Sequence, residues 1–213
     1  MGTAHKDSRE QASSMDQYYK FQSKIYDLTR WSFLFGRVEV IKDIPLERNA
    51  SIKILEVGCG TGFNTKILAE TFPAAEIKAY EVSTDMVDIA TKKVAPFGQR
   101  VQVVHAPYGQ DAEGQNGQYD AILFSYSLTM INPQWEDLLK QAKKDLKVGG
   151  YIAVVDFHDS KQAWFKSHMG NHHVRMDGHL RPFLRDNFEP IVNKVRSAYM
   201  GVWEYISFVG KKQ

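Results

Sequence analysis

Two hydrophobic periods alternate along this chain. Short apolar runs of strand character end at Val57 and span Glu76 to Val82, Arg100 to His105, Tyr119 to Phe124 and Tyr151 to Phe157. Segments of helical periodicity lie between them. Phe63 to Phe72 is stopped by Pro73, Asp85 to Lys93 is opened by Ser83 and Thr84 as a cap, and Pro133 to Lys147 is ended by Gly149-Gly150. Five alternations of strand and helix predict an α/β fold with a doubly wound, mostly parallel sheet. After a loop and short helix over His158 to Met169, the runs Phe188 to Val195 and Tyr199 to Gly210 again have strand character. Joined around Arg196-Ser197-Ala198, they predict an antiparallel hairpin at the sheet edge and a sheet of seven strands.

Ahead of the first strand the period is helical. From Asp16 to about Arg37, Phe21, Ile25, Leu28 and Phe35 recur at helical spacing, with Lys20, Lys24, Arg30 and Arg37 at more polar positions. The segment is rich in aromatic residues, among them Tyr18, Tyr19, Tyr26, Trp31 and Phe33. It reads as a helical cap packed on the core, or as a lid with a second face toward a membrane surface, and the two are compatible. Residues 1–14 are polar, without the apolar centre of a secretory signal, and are expected to be mobile. Residues 15–48 then form the cap or lid and residues 49–213 the core of a single domain.

Composition narrows the class. The 213 residues suffice for one domain, and 43% hydrophobic with 24% charged residues matches a globular chain. No apolar run approaches the ~20 residues of a spanning helix. A formal net charge of +2 makes no case for a nucleic-acid partner. Cys59 is the only cysteine, so an intrachain disulfide is excluded and a reducing, cytoplasmic compartment fits. It reads as a small turn residue rather than a nucleophile.

The chemistry concentrates at Glu56-Val57-Gly58-Cys59-Gly60-Thr61-Gly62, where the first strand breaks into glycines and a helix follows. Glycine at every second position lets the backbone approach a ligand without a Cβ in the way, beside the unpaired N–H groups of a helix start. Glu81 follows Gly62 by nineteen residues and ends the second strand, near the ~20 at which a ribose-binding carboxylate follows a glycine loop. A dehydrogenase is disfavoured because the spacing is G-x-G-x-G rather than G-x-G-x-x-G. The stretch resembles the first motif of the Rossmann-like, class I S-adenosylmethionine-dependent methyltransferases, and LKVGGYIAVVDF resembles a later stretch of that family. The resemblance implies S-adenosyl-L-methionine as cofactor, held along Glu56, Gly58, Cys59, Gly60 and Gly62. It implies further contacts at Glu81, Val82 and Met86, at Asp111 after the third strand and Ser125 after the fourth, and at the aromatic faces of Tyr19 and Trp31.

The methyl acceptor is approached through two other stretches. Tyr26 to Arg37 and His173 to Phe183 resemble the N-methyltransferases of betaine-lipid synthesis, which methylate the amine of diacylglyceryl homoserine. That resemblance implies an enzyme of lipid metabolism with peripheral membrane contact through the N-terminal helix. It puts Tyr26 and His173 in the catalytic pocket and Tyr26, Arg30, His173, Arg175, His179 and Arg181 at the substrate. A solvated face is the competing reading of the arginines. His172, His173 and His179 lack the spacing of a metal site, and no metal is expected. Methylation of a soluble small molecule or quinone, and a non-catalytic cofactor-binding subunit, are the alternatives.

Overall fold

The computed structural model describes residues 34–109 and 116–213. The Gly58 turn sits at the centre of its sheet. Strand β1 (Lys53–Val57) pairs in parallel with β2 (Glu76–Glu81) on one side and with β4 (Tyr119–Ser125) on the other. β3 (Val101–His105) extends the sheet beyond β2, and β5 (Leu146–Asp159) extends it beyond β4. β6 (Glu189–Ala198) and β7 (Trp203–Lys211) complete the order β3-β2-β1-β4-β5-β7-β6, in which β7 runs antiparallel to both neighbours. This is the seven-stranded, mostly parallel sheet with a terminal hairpin that the periodicity predicts. Its strand order reverses between β1 and β4, the place where open α/β sheets bind ligands outside their carboxyl ends.

Helices cover both faces. α1 (Arg37–Lys42), α2 (Phe63–Thr71), α3 (Thr84–Val94), α4 (Trp135–Asp145), α5 (Ala163–Asn171) and α6 (Leu180–Asn187) are present among the described residues. Ile54, Ala121, Ala153 and Val155 point to one face, against Val40, Ile41, Leu68 and Trp203. Leu55, Val57, Ile122, Phe124, Ile152 and Val154 point to the other, against Trp135, Leu139, Leu180 and Leu184. Alternation of side chains along each strand feeds both cores at once.

Several elements differ from the sequence reading. α4 stops at Asp145, and β5 runs through the glycine pair expected to end the helix. Gly149 N–H donates to the Lys212 carbonyl and Lys212 N–H to the Gly150 carbonyl, so the glycines are paired strand rather than a cap. A Cβ on Gly150 would lie 3.0–3.1 Å from three carbonyl oxygens. The segment Leu180–Asn187 is helical, since Pro182 lies in its first turn, where its missing N–H has no partner to lose. The hairpin turns at Tyr199–Gly201, not at Arg196-Ser197-Ala198, which remain in β6; Tyr199 and Met200 take left-handed backbone without being glycine.

Candidate active site

The glycine turn is built as its sequence suggests. Gly58, Gly60 and Gly62 have φ of 74°, 55° and 74°. A Cβ on Gly58 would come 2.9 Å from Ser127 Cβ, and one on Gly62 would come 3.0 Å from Ala90 Cα, so close approach as well as backbone conformation demands glycine. Cys59 is buried against Ala79 and Ala90. Burial pushes its thiol pKa well up, aided by the charges of Glu56 and Glu81, which fits a packing role.

Glu81 organises the turn. Its Oε2 accepts the Gly60 N–H at 2.8 Å, and its Oε1 accepts the N–H groups of Val82 and Ser83 at 2.9 and 3.0 Å. Val82 in turn offers its carbonyl to the His105 ring at 3.0 Å, and Met86 is buried in the first turn of α3. Glu56 lies at the other side of the turn, fully buried on β1, with Thr65 Oγ1 donating to its Oε2 at 2.6 Å. Burial pushes its carboxyl up to about 7, and the charge of Glu81 adds to this. Hydrogen bonds from Thr65 and Asn64 and the Arg37 charge pull the other way.

Between these groups opens a cavity of about 270 Å³, lined by Gly58 to Thr61, Asn64 and Ser125, with Leu34, Arg37, Phe63 and Lys93 around it. The Arg37 guanidinium lies over the Phe63 ring, 4.1 Å from its centroid, and its Nε donates to the Leu34 carbonyl. Glu56 Oε1, Asn64 Oδ1 and Ser125 Oγ are buried and have no hydrogen-bond partner. The cavity therefore offers cations and unsatisfied acceptors side by side, which suits a zwitterionic ligand.

The substrate candidates fall into separate places. His173 is exposed in the turn after α5, with φ 62°. Arg175 and His179 both bind Asp177, through Nε at 2.7 Å and through Nδ1 respectively. Arg181 Nε donates to Asn193 on β6 at 2.9 Å. Tyr19, Tyr26, Arg30, Trp31 and Asp111 lie outside the described residues. Arg37, Asn64 and Lys93 were not among the sequence candidates; they come from three different helices, and no local motif marks them.

With this geometry in hand, comparison with known proteins is decisive for one part of the chain. Residues 54–150 match the family model of a methyltransferase domain. That part of the chain is similar to methyltransferase domains. The chain is 33% identical over 109 residues to malonyl-(acyl-carrier protein) O-methyltransferase of Priestia megaterium, covering 51% of this chain and 38% of that protein. It is 35% identical over 154 residues to the enzyme of the same name from Bacillus cereus, covering 71% of this chain and 51% of that protein. The chain thus spans about half the length, or less, of these curated relatives. The solved structure of Burkholderia thailandensis 1,6-didemethyltoxoflavin-N1-methyltransferase, with S-adenosylhomocysteine bound, superposes with a TM-score of 0.69 at 15% identity. The match covers 100% of this chain and 92% of that one. The chain thus shares the Rossmann-like α/β fold of that enzyme.

Proposed function

We propose that the chain is an S-adenosylmethionine-dependent N-methyltransferase acting on the amine of a homoserine-type betaine-lipid precursor. The observation that carries the donor half is the cavity beside the glycine turn. Its buried acceptors Asn64 Oδ1 and Ser125 Oγ fit the α-ammonium of the cofactor, and Arg37 and Lys93 fit its carboxylate. Gly58 and Gly60 admit the methionine part, and Glu81 borders the ribose. When bound, S-adenosylmethionine supplies a methyl group on a positively charged sulfur that leaves as a neutral thioether. Positioning alone then supplies on the order of 7–11 kcal/mol of a favourable transfer.

The acceptor assignment is supported by the resemblance of Tyr26 to Arg37 and His173 to Phe183 to betaine-lipid enzymes. An α-amine with pKa near 8 is partly neutral at physiological pH, which suits a site built mainly for positioning. No helix among the described residues is long and apolar enough to cross a membrane, so contact with a lipid surface is peripheral in this reading. A cytoplasmic location belongs to the same proposal. A second reading, O-methylation of a carboxyl group, is favoured by the names of the relatives.

Labelled S-adenosylmethionine separates the two. Incubation with total lipid extract is expected to label an amine-bearing lipid, identified by mass, and alanine at Tyr26 or His173 is expected to slow that labelling. Label confined to quinones, to water-soluble metabolites or to the methyl ester of an acyl carrier substrate overturns the lipid assignment.

A further inference from the structure

A second group of titratable side chains gathers where β5 ends. His158 lies against Gly178: a Cβ on that glycine would sit 3.1 Å from His158 Cε1. The Gly178 N–H donates to the His158 carbonyl at 2.8 Å, which stitches the segment after α5 to the strand end. The next residue, His179, binds Asp177 Oδ1 through Nδ1, and its ring meets Trp135 of α4 in a T-shaped contact with centroids 4.7 Å apart. Arg175 Nε holds the other oxygen of Asp177, while the Arg175 N–H donates to the Thr129 carbonyl at 2.8 Å, beside the loop after β4.

Two ring nitrogens of this group, His158 Nδ1 and His179 Nε2, are buried without a hydrogen-bond partner. Only 8% of the His179 side chain is exposed. An unpartnered buried polar atom is destabilising, and a bound donor removes that cost. Asp177 accepts from Nδ1–H and so leaves the lone pair on Nε2, the arrangement of an oriented base. The half-buried His158 keeps the group within reach of solvent. β5 stands two strands from β1 in the sheet, on the side of the chain reversal opposite β2, and His158 follows four residues after Val154, which is in register with Val57 at the glycine turn.

Charges facing the two rings are Asp177 and Arg175 from the same segment, Arg181 from α6, Asp159 from β5 and Glu204 from β7; Trp135 from α4 is uncharged. Burial is the largest influence on both histidines and holds each below the ordinary histidine pKa, so both are neutral at physiological pH.

We propose that His179, oriented by Asp177, is the general base for the methyl acceptor, and that His158 Nδ1 is a second hydrogen-bonding point for the same acceptor atom. The proposal rests on the methyltransferase reading above and sharpens its acceptor to a group with a proton to lose. A carboxylate is already ionised and finds no donor at His179 Nε2, whereas an ammonium donates an N–H there. One ammonium proton passes to His179 Nε2, and the freed lone pair attacks the methyl carbon. The carbon–sulfur bond breaks with its electrons on sulfur, the new carbon–nitrogen bond leaves the positive charge on the product ammonium, and the proton on His179 goes to solvent.

The test has one readout that needs no acceptor. NMR of ring-labelled histidine in the S-adenosylhomocysteine-loaded protein is expected to show His179 neutral at pH 7 with its proton on Nδ1, a preference lost in Asp177→Asn. A charged His179, or one protonated on Nε2, overturns the proposal even if an amine is the acceptor. In transfer to vesicles containing diacylglyceryl homoserine, kcat/KM is expected to rise with pH through an ionisation below 6.5. His179→Ala is expected to lower kcat about 10²-fold with KM nearly unchanged, to lose that ionisation, and to regain activity with added imidazole. Unaltered S-adenosylhomocysteine affinity in the variant shows that the fold and donor half are intact. Wild-type kinetics in His179→Ala sink the base alone, while transfer to carboxylates alone sinks both the base and the amine reading.

Discussion

Replacing Glu56 by glutamine isolates the cost of a carboxyl group held inside β1. The side chain has no exposed surface, one oxygen takes the Thr65 hydroxyl, and the other has no partner. Burial carries its pKa from 4.5 up to about 7. In the unfolded chain the group ionises near 4.5, so between 4.5 and 7 the folded state holds a proton that the unfolded state has released. Stability therefore falls as pH rises through this window, and levels off above it. The whole interval corresponds to about 3 kcal/mol, of which about 2 kcal/mol falls between pH 5.5 and 8.5. Glutamine keeps the volume and an acceptor for Thr65 but carries no charge, so the variant lacks this loss. Urea unfolding of both proteins at pH 5.5 and 8.5 is expected to show their stability difference move by about 2 kcal/mol in favour of Glu56→Gln. Asp156, another buried carboxyl pushed up to about 6, changes stability in the same direction in both proteins and cancels in the difference. Equal pH dependence in the two proteins refutes the reasoning, because it means that Glu56 is ionised as easily inside β1 as in water.

Other residues make sharper local predictions. Gly62→Ala combines left-handed backbone with a Cβ 3.0 Å from Ala90 Cα, and is expected to cost about 2–4 kcal/mol in urea unfolding while weakening S-adenosylhomocysteine binding in calorimetry. Asp156→Ala removes the acceptor of the Ser127, Leu128 and Thr129 N–H groups and of the Thr129 hydroxyl, and is expected to cost about 3 kcal/mol or more. Arg37→Ala is expected to lower S-adenosylhomocysteine affinity about 10-fold or more, with Arg37→Lys recovering part of it; an unchanged affinity places the cofactor carboxylate elsewhere.

What the sequence made legible follows from how local each feature is. The five alternating runs set the sheet because side-chain period and strand length are properties of a few adjacent residues. The glycine turn and Glu81 were legible for the same reason: their spacing is fixed by one strand, one turn and one helix. Leu180–Asn187 received no element from the sequence pattern, and its Pro182 is tolerated because it lies in the first turn of the helix. The true hairpin turn was obscured because Tyr199 and Met200 take a conformation usually left to glycine. Arg37, Asn64 and Lys93 were not legible as a site, since only the packing of α1, α2 and α3 around β1 brings them to one cavity.

The two halves of the rim also differ in what similarity says about them. The proposed donor half is a backbone turn, a buried carboxyl and one strand-end acid, all inside the matched residues 54–150. The group at the end of β5 lies wholly beyond Gly150: His158, Arg175, Asp177 and His179 belong to the part of the chain that the domain model does not reach. Its geometry depends on long-range ties, Arg175 N–H to the Thr129 carbonyl and Gly178 N–H to the His158 carbonyl, rather than on a motif. A relative can therefore share the turn and the methyl donor while presenting a different group here. The names of the O-methylating relatives favour an oxygen acceptor, and the proposed base at the end of β5 favours an amine, so the acceptor assay decides between them.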